Sequence, residues 1–228
     1  MIEFYGGYQV YSESGVDLTQ LRENLKHSVT ERWLANSHNA KALEGMRPKR
    51  RSVSKEAMTQ HWCPTLLDVK GLLGQLAEHK VEYIVIGGLA IIAHGSAYIT
   101  HDLDICYART PNNIAALAAA FVPIHPYLRG APAGLPFRFD ALTIQAGLNF
   151  TLITDMGDVD VLGEVKGLGG YDQVLAQSVE KVVFGRAVRV LGIDGLIANK
   201  KAVDRVKDRL HLLELEELKK LRDAVQEN

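Results

Sequence analysis

The feature that most constrains this chain is the segment spanning residues 83–105, in which an apolar run ends at Gly87-Gly88 and a later apolar run carries Asp102 and Asp104. Side chains of a strand alternate between its two faces, so the two aspartates point to the same side. Two carboxylates held that close repel each other unless a positive charge lies between them. Because Mg²⁺ takes one or two carboxylates together with substrate phosphates, the pattern favours a metal site on this strand.

The Gly-Gly pair adds a second element of the same chemistry. Glycine lets a phosphate approach the backbone, and the short helix expected after Gly88 offers free N–H groups to an anion. A phosphate cradle beside metal-binding carboxylates indicates phosphoryl or nucleotidyl transfer. A simpler alternative for these residues alone is a buried strand with a Gly-Gly turn and a surface pair of aspartates.

This segment resembles the nucleotidyltransferase superfamily of polymerase-beta type, whose pattern is Gly-Gly or Gly-Ser, a spacer, and then Asp-hydrophobic-Asp-hydrophobic. Thirteen residues separate Gly88 from Asp102, at the upper end of the family's range. The resemblance implies an α+β fold in which a palm-like mixed sheet is flanked by helices. Relatives often carry an arginine two residues before Thr100, where this chain has Tyr98. That departure concerns the nucleotide preference and the rate rather than the fold.

The family also has a third carboxylate on a later strand. Residues 148–154 form a strand-like run, residues 155–158 are typical of a turn, and residues 159–162 follow as a strand with Asp160 among apolar neighbours. Asp160 is therefore the predicted third ligand. Asp158 would share a face with Asp160, but its place beside the turn favours a solvated residue.

A late helix extends the resemblance. Many small bacterial members have a helix that begins Leu-Ile-x-x-Lys and continues with Arg-x-Lys-Asp, and Lys200, Arg205, Lys207 and Asp208 match that pattern in type and spacing. The resemblance therefore covers residues 66–228. It is closest to the stand-alone nucleotidyltransferases that are grouped with abortive-infection toxins.

The resemblance implies a role for each residue of the site. Asp102 and Asp104 would hold one or two Mg²⁺ ions, with Mn²⁺ as a substitute, against the nucleoside triphosphate. Asp160 would complete the metal that binds the attacking hydroxyl. Contacts to the nucleotide are expected from Gly87, Gly88, Ser96, Thr100, Lys200, Arg205 and Lys207.

Several residues also have a purely structural interpretation. Ser96 could be a turn or cap hydroxyl. Arg205, Lys207 and Asp208 could form a set of exposed ion pairs on a helix face, worth only tenths of a kcal/mol. Arg129 and Arg138 lie in a loop rich in proline and glycine, where exposed loop charges are the simpler expectation than phosphate contacts.

Two domains are expected: an N-terminal arm over residues 1–60 and the nucleotidyltransferase domain over residues 61–228. Asp17 or Thr19 caps an amphipathic helix that continues for more than twenty residues, and a basic linker follows at residues 45–54. An apolar stripe on a helix needs a covering surface. That surface could be the catalytic domain, a second subunit or another protein.

Periodicity and turn residues predict the remaining elements. Helices are expected at 65–80, 89–94, 111–121, 171–177, 193–202 and 204–226. Strands are expected at 81–86, 102–107, 142–144, 148–154, 159–162 and, as a hairpin, 179–190. Loops are expected at 123–139 and 163–170.

Composition gives information on the partners and the cellular location of the chain rather than on its activity. The chain has 228 residues, is 47% hydrophobic and carries a formal net charge of −1, so bulk charge does not favour nucleic acid as a partner. Cys63 and Cys106 without a Cys-x-x-Cys motif, and no recognisable signal peptide, favour the cytoplasm. No apolar run approaches the length of a membrane span, so no membrane partner is expected. The spacing of His94 and His101 does not suggest a zinc site.

The leading hypothesis is a transfer of a nucleoside monophosphate from an NTP to a hydroxyl of an RNA end, such as a tRNA 3′ end, or of a protein. A toxin role with an antitoxin partner is part of the resemblance. One alternative is a non-catalytic nucleotide-binding module of a toxin–antitoxin pair. Another is a small-molecule adenylyltransferase, which is disfavoured because only residues 194–228 follow Ile193 and leave little room for an acceptor domain.

Overall fold

The computed structural model describes residues 4–5, 8–46, 66–132 and 134–226. Its helices are α1 Leu18–Lys26, α2 Val29–Met46, α3 Val69–Glu78, α4 Gly87–Ala93, α5 Pro111–Phe121, α6 Ala141–Ala146, α7 Tyr171–Ala176, α8 Ile193–Val203 and α9 Val206–Gln226. Its strands are β1 Phe4–Tyr5, β2 Tyr8–Gln9, β3 Tyr83–Ile86, β4 Asp102–Tyr107, β5 Tyr127–Leu128, β6 Asn149–Thr154, β7 Gly157–Leu162, β8 Glu164–Val165, β9 Gly169–Gly170, β10 Ser178–Val183 and β11 Arg186–Leu191.

Among the described residues, seven strands form a mixed sheet in the order β10-β11-β3-β4-β7-β6-β5. The β11–β3 and β4–β7 pairs are parallel, and the other pairs are antiparallel. Helices pack on this sheet, so the predicted α+β fold with a mixed sheet is confirmed. The central strand is β4, and its parallel register with β7 sets Asp102 opposite Asp158 and Asp104 opposite Asp160.

The two faces of β4 differ in their environment. Leu103 and Ile105 point into the hydrophobic core and are fully buried, whereas Asp102 and Asp104 lie on the other face and keep partial exposure. The same alternation on β7 buries Val159 and leaves Asp158 and Asp160 partly exposed. Four carboxylates therefore share one face of two neighbouring strands.

The N-terminal amphipathic segment forms two helices instead of the single helix that its periodicity predicts. Asp17 caps α1 as expected, because its side chain accepts from the N–H groups of Thr19 and Gln20. The chain then breaks before α2. Ser28 and Glu31 form a reciprocal pair there: the Ser28 N–H donates to Glu31, and the Glu31 N–H donates to Ser28 Oγ. This capping box starts a new helix and ends the old one.

Helix α2 packs against the domain that contains the seven-stranded sheet. Trp33 is fully buried, and its Nε1–H donates to the carbonyl of Leu89 in α4 at 3.0 Å. Leu18, Val29 and Trp33 belong to the same hydrophobic core as the sheet, so this domain covers most of the apolar stripe, although Leu25 and Leu34 stay about half exposed. The predicted linker at 45–54 is described only as far as Met46, and the boundary between residues 60 and 61 lies outside the described residues, so both stay predictions.

Other differences from the predicted elements have local causes. Residues 142–144 lie in helix α6 rather than in a strand, because Asp140 accepts from Thr143 N and caps a helix there. The expected loops at 123–139 and 163–170 contain the short strands β5, β8 and β9. Of the helices that the structure describes, none combines the length and the apolar character that crossing a bilayer requires.

Candidate active site

The structure brings the three predicted ligands together. Asp102 and Asp104 come from β4 and Asp160 comes from β7, and each offers a carboxylate oxygen such that all three atoms lie within 4.8 Å of one another. Parallel pairing of β4 with β7 creates this arrangement, since Asp104 and Asp160 are register partners. An all-oxygen set of three carboxylates fits a hard divalent cation such as Mg²⁺ or Mn²⁺.

The electrostatics of this cluster show a need for positive charge. Burial, followed by the negative charges of Asp102 and Asp160, raises the pKa of Asp104 to about 7, although the Gly88 N–H and Lys200 oppose the shift. Burial also raises the pKa of Asp160, against the opposing charge of Arg129. A cation bound among these oxygens would favour their ionised forms.

Arg129 supplies positive charge to the cluster from the end of β5. Its Nη2 donates to Asp160 Oδ1 at 2.6 Å, its Nη1 donates to Asp158 Oδ2 at 3.1 Å, and Nη1 lies 4.0 Å from Asp102 Oδ2. The expectation that Arg129 is an exposed loop charge is therefore wrong. No local signal marks this arginine, because only the order of the strands brings β5 next to β6 and within reach of β7.

Asp158 is also placed differently from the sequence expectation. It lies within β7, opposite Asp102, and is held by Arg129, so it is not a solvated turn residue. Its two-residue spacing from Asp160 did indicate a shared face, but the neighbouring turn outweighed this spacing in the prediction. Strand β7 begins at Gly157, so Asp158 is its second residue.

The two glycines form the first turn of α4 rather than a turn before a helix at Leu89. Gly87 has φ +60°, and a Cβ on it would overlap the Asp104 carboxylate. A Cβ on Gly88 would lie 2.6 Å from the side chain of Thr100. Glycine is therefore required at both positions, because the side chains of Asp104 and Thr100 occupy the space that a Cβ would need.

Thr100 and Ser96 have defined partners in the loop before β4. Thr100 Oγ1 donates to Asp102 Oδ1 at 2.6 Å, which agrees with a role in orienting that carboxylate. Ser96 is buried and donates from Oγ to Glu214 of α9 at 2.6 Å, while accepting from the Tyr98 N–H. The phosphate contact predicted for Ser96 stays a prediction, and its described contacts are those of a turn hydroxyl.

Lys200 and Asp208 form a buried ion pair between α8 and α9, with 2.7 Å between Nζ and Oδ1. Burial works to raise the pKa of Asp208, but the hydrogen bond and charge of Lys200 outweigh it and hold that pKa below its usual value. The alternative of an exposed helix-face pair is therefore wrong for Asp208, whose side chain is 2% exposed. Arg205 is exposed at the α8–α9 junction, and the Lys207 side chain lies outside the described residues.

His94 and Cys106 have structural surroundings, as expected. His94 Nε2 lies 2.8 Å from the carbonyl oxygen of Leu191, and burial lowers its pKa to about 4. Cys106 is fully buried in β4, and burial raises the pKa of its thiol to about 12, so a thiolate is disfavoured. His101 is exposed and alternates with Asp102 along the chain.

Comparison with known proteins finds likeness in structure alone. No family model and no curated protein matches the sequence. The lincosamide antibiotic adenylyltransferase LnuA, solved with lincomycin bound, is 13% identical, with a TM-score of 0.44 over 67% of this chain and 98% of LnuA. The antibiotic-resistance factor ANT(2'')-Ia is 16% identical, with a TM-score of 0.44 over 70% of this chain and 89% of that protein. Its complex with adenylyl-2''-tobramycin gives 16% identity and a TM-score of 0.43, over 70% and 95% of the respective chains. Because these TM-scores lie below 0.5, the role of the site has to follow from its own geometry.

Proposed function

We propose that this chain is a metal-dependent nucleotidyltransferase of the polymerase-beta-like superfamily. The observation that carries the proposal is the convergence of Asp102, Asp104 and Asp160 beside Gly87 and Gly88. These carboxylates would hold Mg²⁺, or Mn²⁺ in its place. The raised pKa of Asp104 is consistent with this assignment: burial and the charges of Asp102 and Asp160 disfavour its ionised form, which a bound cation would stabilise.

The proposed reaction transfers a nucleoside monophosphate from an NTP to a hydroxyl. The hydroxyl oxygen forms a bond to the α-phosphorus, the bond from that phosphorus to the bridging oxygen breaks, and pyrophosphate leaves. Asp160 would take up the hydroxyl proton, because it lies on β7 directly beside the Asp102 and Asp104 pair on β4. When bound, the metal lowers the pKa of the hydroxyl and neutralises charge on the attacking and leaving oxygens.

The other residues of the site orient the nucleotide in this proposal. Gly87 and Gly88 let α4 begin directly against Asp104 and Thr100, and we propose that the β- and γ-phosphates bind beside this helix start. Thr100 directs the Asp102 carboxylate through its 2.6 Å hydrogen bond. The positive charge of Lys200 favours the ionised form of Asp104. Arg129, which is hydrogen-bonded to Asp160, would move toward the phosphates when a metal binds.

The acceptor that we propose is an RNA end, such as a tRNA 3′ end, or a protein hydroxyl, following the resemblance to abortive-infection toxins. A cytoplasmic location and an antitoxin partner belong to the same proposal. A small-molecule acceptor is the alternative.

The test is transfer of label from each α-³²P-NTP in the presence of Mg²⁺ or Mn²⁺ to total RNA, to protein or to a panel of small hydroxyl compounds. The variants Asp102→Asn and Asp104→Asn are expected to lose at least about 100-fold in rate, as removal of charge-stabilising groups commonly does. Asp155→Asn is the matched control, because Asp155 is an exposed carboxylate that contacts His125 outside the site. Absence of transfer to every acceptor class, with folding intact, would contradict the proposed activity.

A further inference from the structure

We infer that Asn36, on the N-terminal helix α2, is a positioning residue for the Asp102 carboxylate and acts through Thr100. The inference rests on the proposed function, since it assigns a part in the same site to a helix that the sequence placed in a separate arm. Residue 36 lies 66 positions before Asp102 in the chain, and no sequence motif links the two.

The first step is the pairing between Asn36 and the backbone of Thr100. The Asn36 Nδ2 donates to the Thr100 carbonyl at 3.1 Å, and the Thr100 N–H donates to Asn36 Oδ1 at 2.9 Å. Asn36 is 4% exposed, and Thr100 is 4% exposed. A buried amide that satisfies both polar groups of one residue fixes the position of that residue, because breaking the pair would leave buried groups unsatisfied.

The second step runs from Thr100 to the metal-binding carboxylate. Thr100 Oγ1 donates to Asp102 Oδ1 at 2.6 Å, a hydrogen bond to a charged acceptor. The other oxygen of that carboxylate, Oδ2, faces Arg129 at 4.0 Å. Holding one oxygen therefore directs the other toward the centre of the cluster. Gly88 closes the opposite side of Thr100, where a Cβ would meet its side chain at 2.6 Å.

The third step separates this role from simple attachment of the helix. Helix α2 is anchored to α4 independently of Asn36, by the Trp33 Nε1–H bond to Leu89 O and by the Arg32 Nη2 bond to Ala93 O at 2.7 Å. The Trp33 and Arg32 contacts hold the helix on α4. Of these three side chains, only Asn36 contacts Thr100, the residue that hydrogen-bonds to Asp102. A small cavity lined by Asn36, Thr100 and Asp158 lies at this junction.

The experiment measures Mn²⁺ binding by calorimetry on the purified full chain without nucleotide. Asn36→Ala is expected to weaken Mn²⁺ binding about tenfold, the lower end of what loss of a supporting hydrogen bond around a metal ligand costs. Trp33→Phe is the matched control: it removes an anchoring hydrogen bond of the same helix, so it lowers the melting temperature without changing Mn²⁺ affinity. Asn36→Gln keeps the amide but displaces it by one methylene, and serves the same comparison if the alanine variant does not fold.

Coupling to Thr100 gives the second readout. Thr100→Val removes the hydroxyl that contacts Asp102, so adding Asn36→Ala to it should cause no further loss of Mn²⁺ affinity. The inference would be overturned if both Asn36 variants kept the wild-type Mn²⁺ affinity, or if Trp33→Phe lost as much Mn²⁺ affinity as Asn36→Ala. Additive losses of Mn²⁺ affinity in the double variant would also overturn it. Failure of the wild-type protein to bind Mn²⁺ would instead overturn the proposed function, so the two failures are distinguishable.

Discussion

Arg129, the residue after β5, donates a hydrogen bond of 2.6 Å to Asp160 across the intervening strand β6, so the carboxylate cluster contains its own positive charge. The carboxylates in turn raise the pKa of this guanidinium, although its burial works to lower that pKa. This hydrogen bond engages the Asp160 carboxylate, which is also one of the groups that would bind a metal ion. Metal binding and the Arg129 contact are therefore expected to compete.

Replacing Arg129 by methionine tests this competition. We expect Mn²⁺ to bind about tenfold more tightly, equivalent to about 1.4 kcal/mol, because no guanidinium has to be displaced. The metal-free protein should melt at a lower temperature, because four carboxylates then repel without compensation. Calorimetric titration and thermal melting with and without Mn²⁺ measure both effects. Arg138→Met, an exposed arginine of the same loop, should change neither, and an Arg129 variant that behaves like it would show that no competition exists.

Glycine 87 allows a test of the close approach between α4 and β4. Gly87→Ala places a methyl group against the Asp104 carboxylate at a residue with positive φ. An alanine in this left-handed conformation should lower the stability of the fold by about 1–2 kcal/mol, and the displaced carboxylate should weaken Mn²⁺ binding at least tenfold. Gly185→Ala is the matched control, since Gly185 also has a positive φ of 75° but has open space around its Cβ position. It should lose similar conformational energy and keep its Mn²⁺ affinity. Equal Mn²⁺ affinities in the two variants would argue against this packing.

The burial of His94 should make the stability of the folded protein fall at acidic pH. Its pKa falls from about 6.5 in the unfolded chain to about 4 in the folded protein, chiefly through burial, with Lys181, Arg222 and Arg32 adding to the effect. The unfolded state therefore binds a proton first as pH falls, and stability is lost between about pH 6.5 and 4, by up to about 3 kcal/mol.

Urea unfolding of His94→Gln measured across that pH range checks the assignment. The glutamine does not titrate, so its stability should fall less than that of the wild type below pH 6.5, while the two curves run parallel above it. His125→Gln, at an exposed histidine, serves as the control and should follow the wild type. If the wild type and His94→Gln lose stability in parallel from pH 6.5 to 4, another group is responsible.

Removing only one partner of the buried Lys200–Asp208 pair should strongly lower the stability of the folded protein. Lys200→Met leaves the Asp208 carboxylate buried and uncompensated, which should cost about 3 kcal/mol in chemical unfolding. Lys201→Met removes a lysine of an exposed pair with Glu216 at 3.4 Å and should cost less than about 1 kcal/mol.

The double variant Lys200→Met/Asp208→Asn separates stability from nucleotide binding. Removing the buried carboxylate together with its partner should restore most of the lost stability. If Lys200 also contacts the triphosphate, as predicted, KM for the NTP should remain raised in this stable double variant. A wild-type KM there would leave Lys200 with a purely structural role.

Elements with strong local signals were predicted well from the sequence. The strand β4 and the helix α5 have the expected bounds, and Asp17 caps α1 as expected. The break before α2 carried a local signal, the Ser28 and Glu31 capping box, that the longer apolar period obscured. The strand expected at 142–144 failed because a cap at Asp140 outweighs a short apolar run.

The sequence by itself determined which residues could form a metal site, because spacing of two along a strand sets Asp102 and Asp104 on one face whatever the fold around them. Only the tertiary structure decided what completes that site. Arg129 and Asp158 reach it through the order and register of β5, β6 and β7, and Asn36 reaches it through the packing of α2 on α4. Contacts between residues far apart in the chain depend on how whole elements pack, and a local pattern carries no record of that packing.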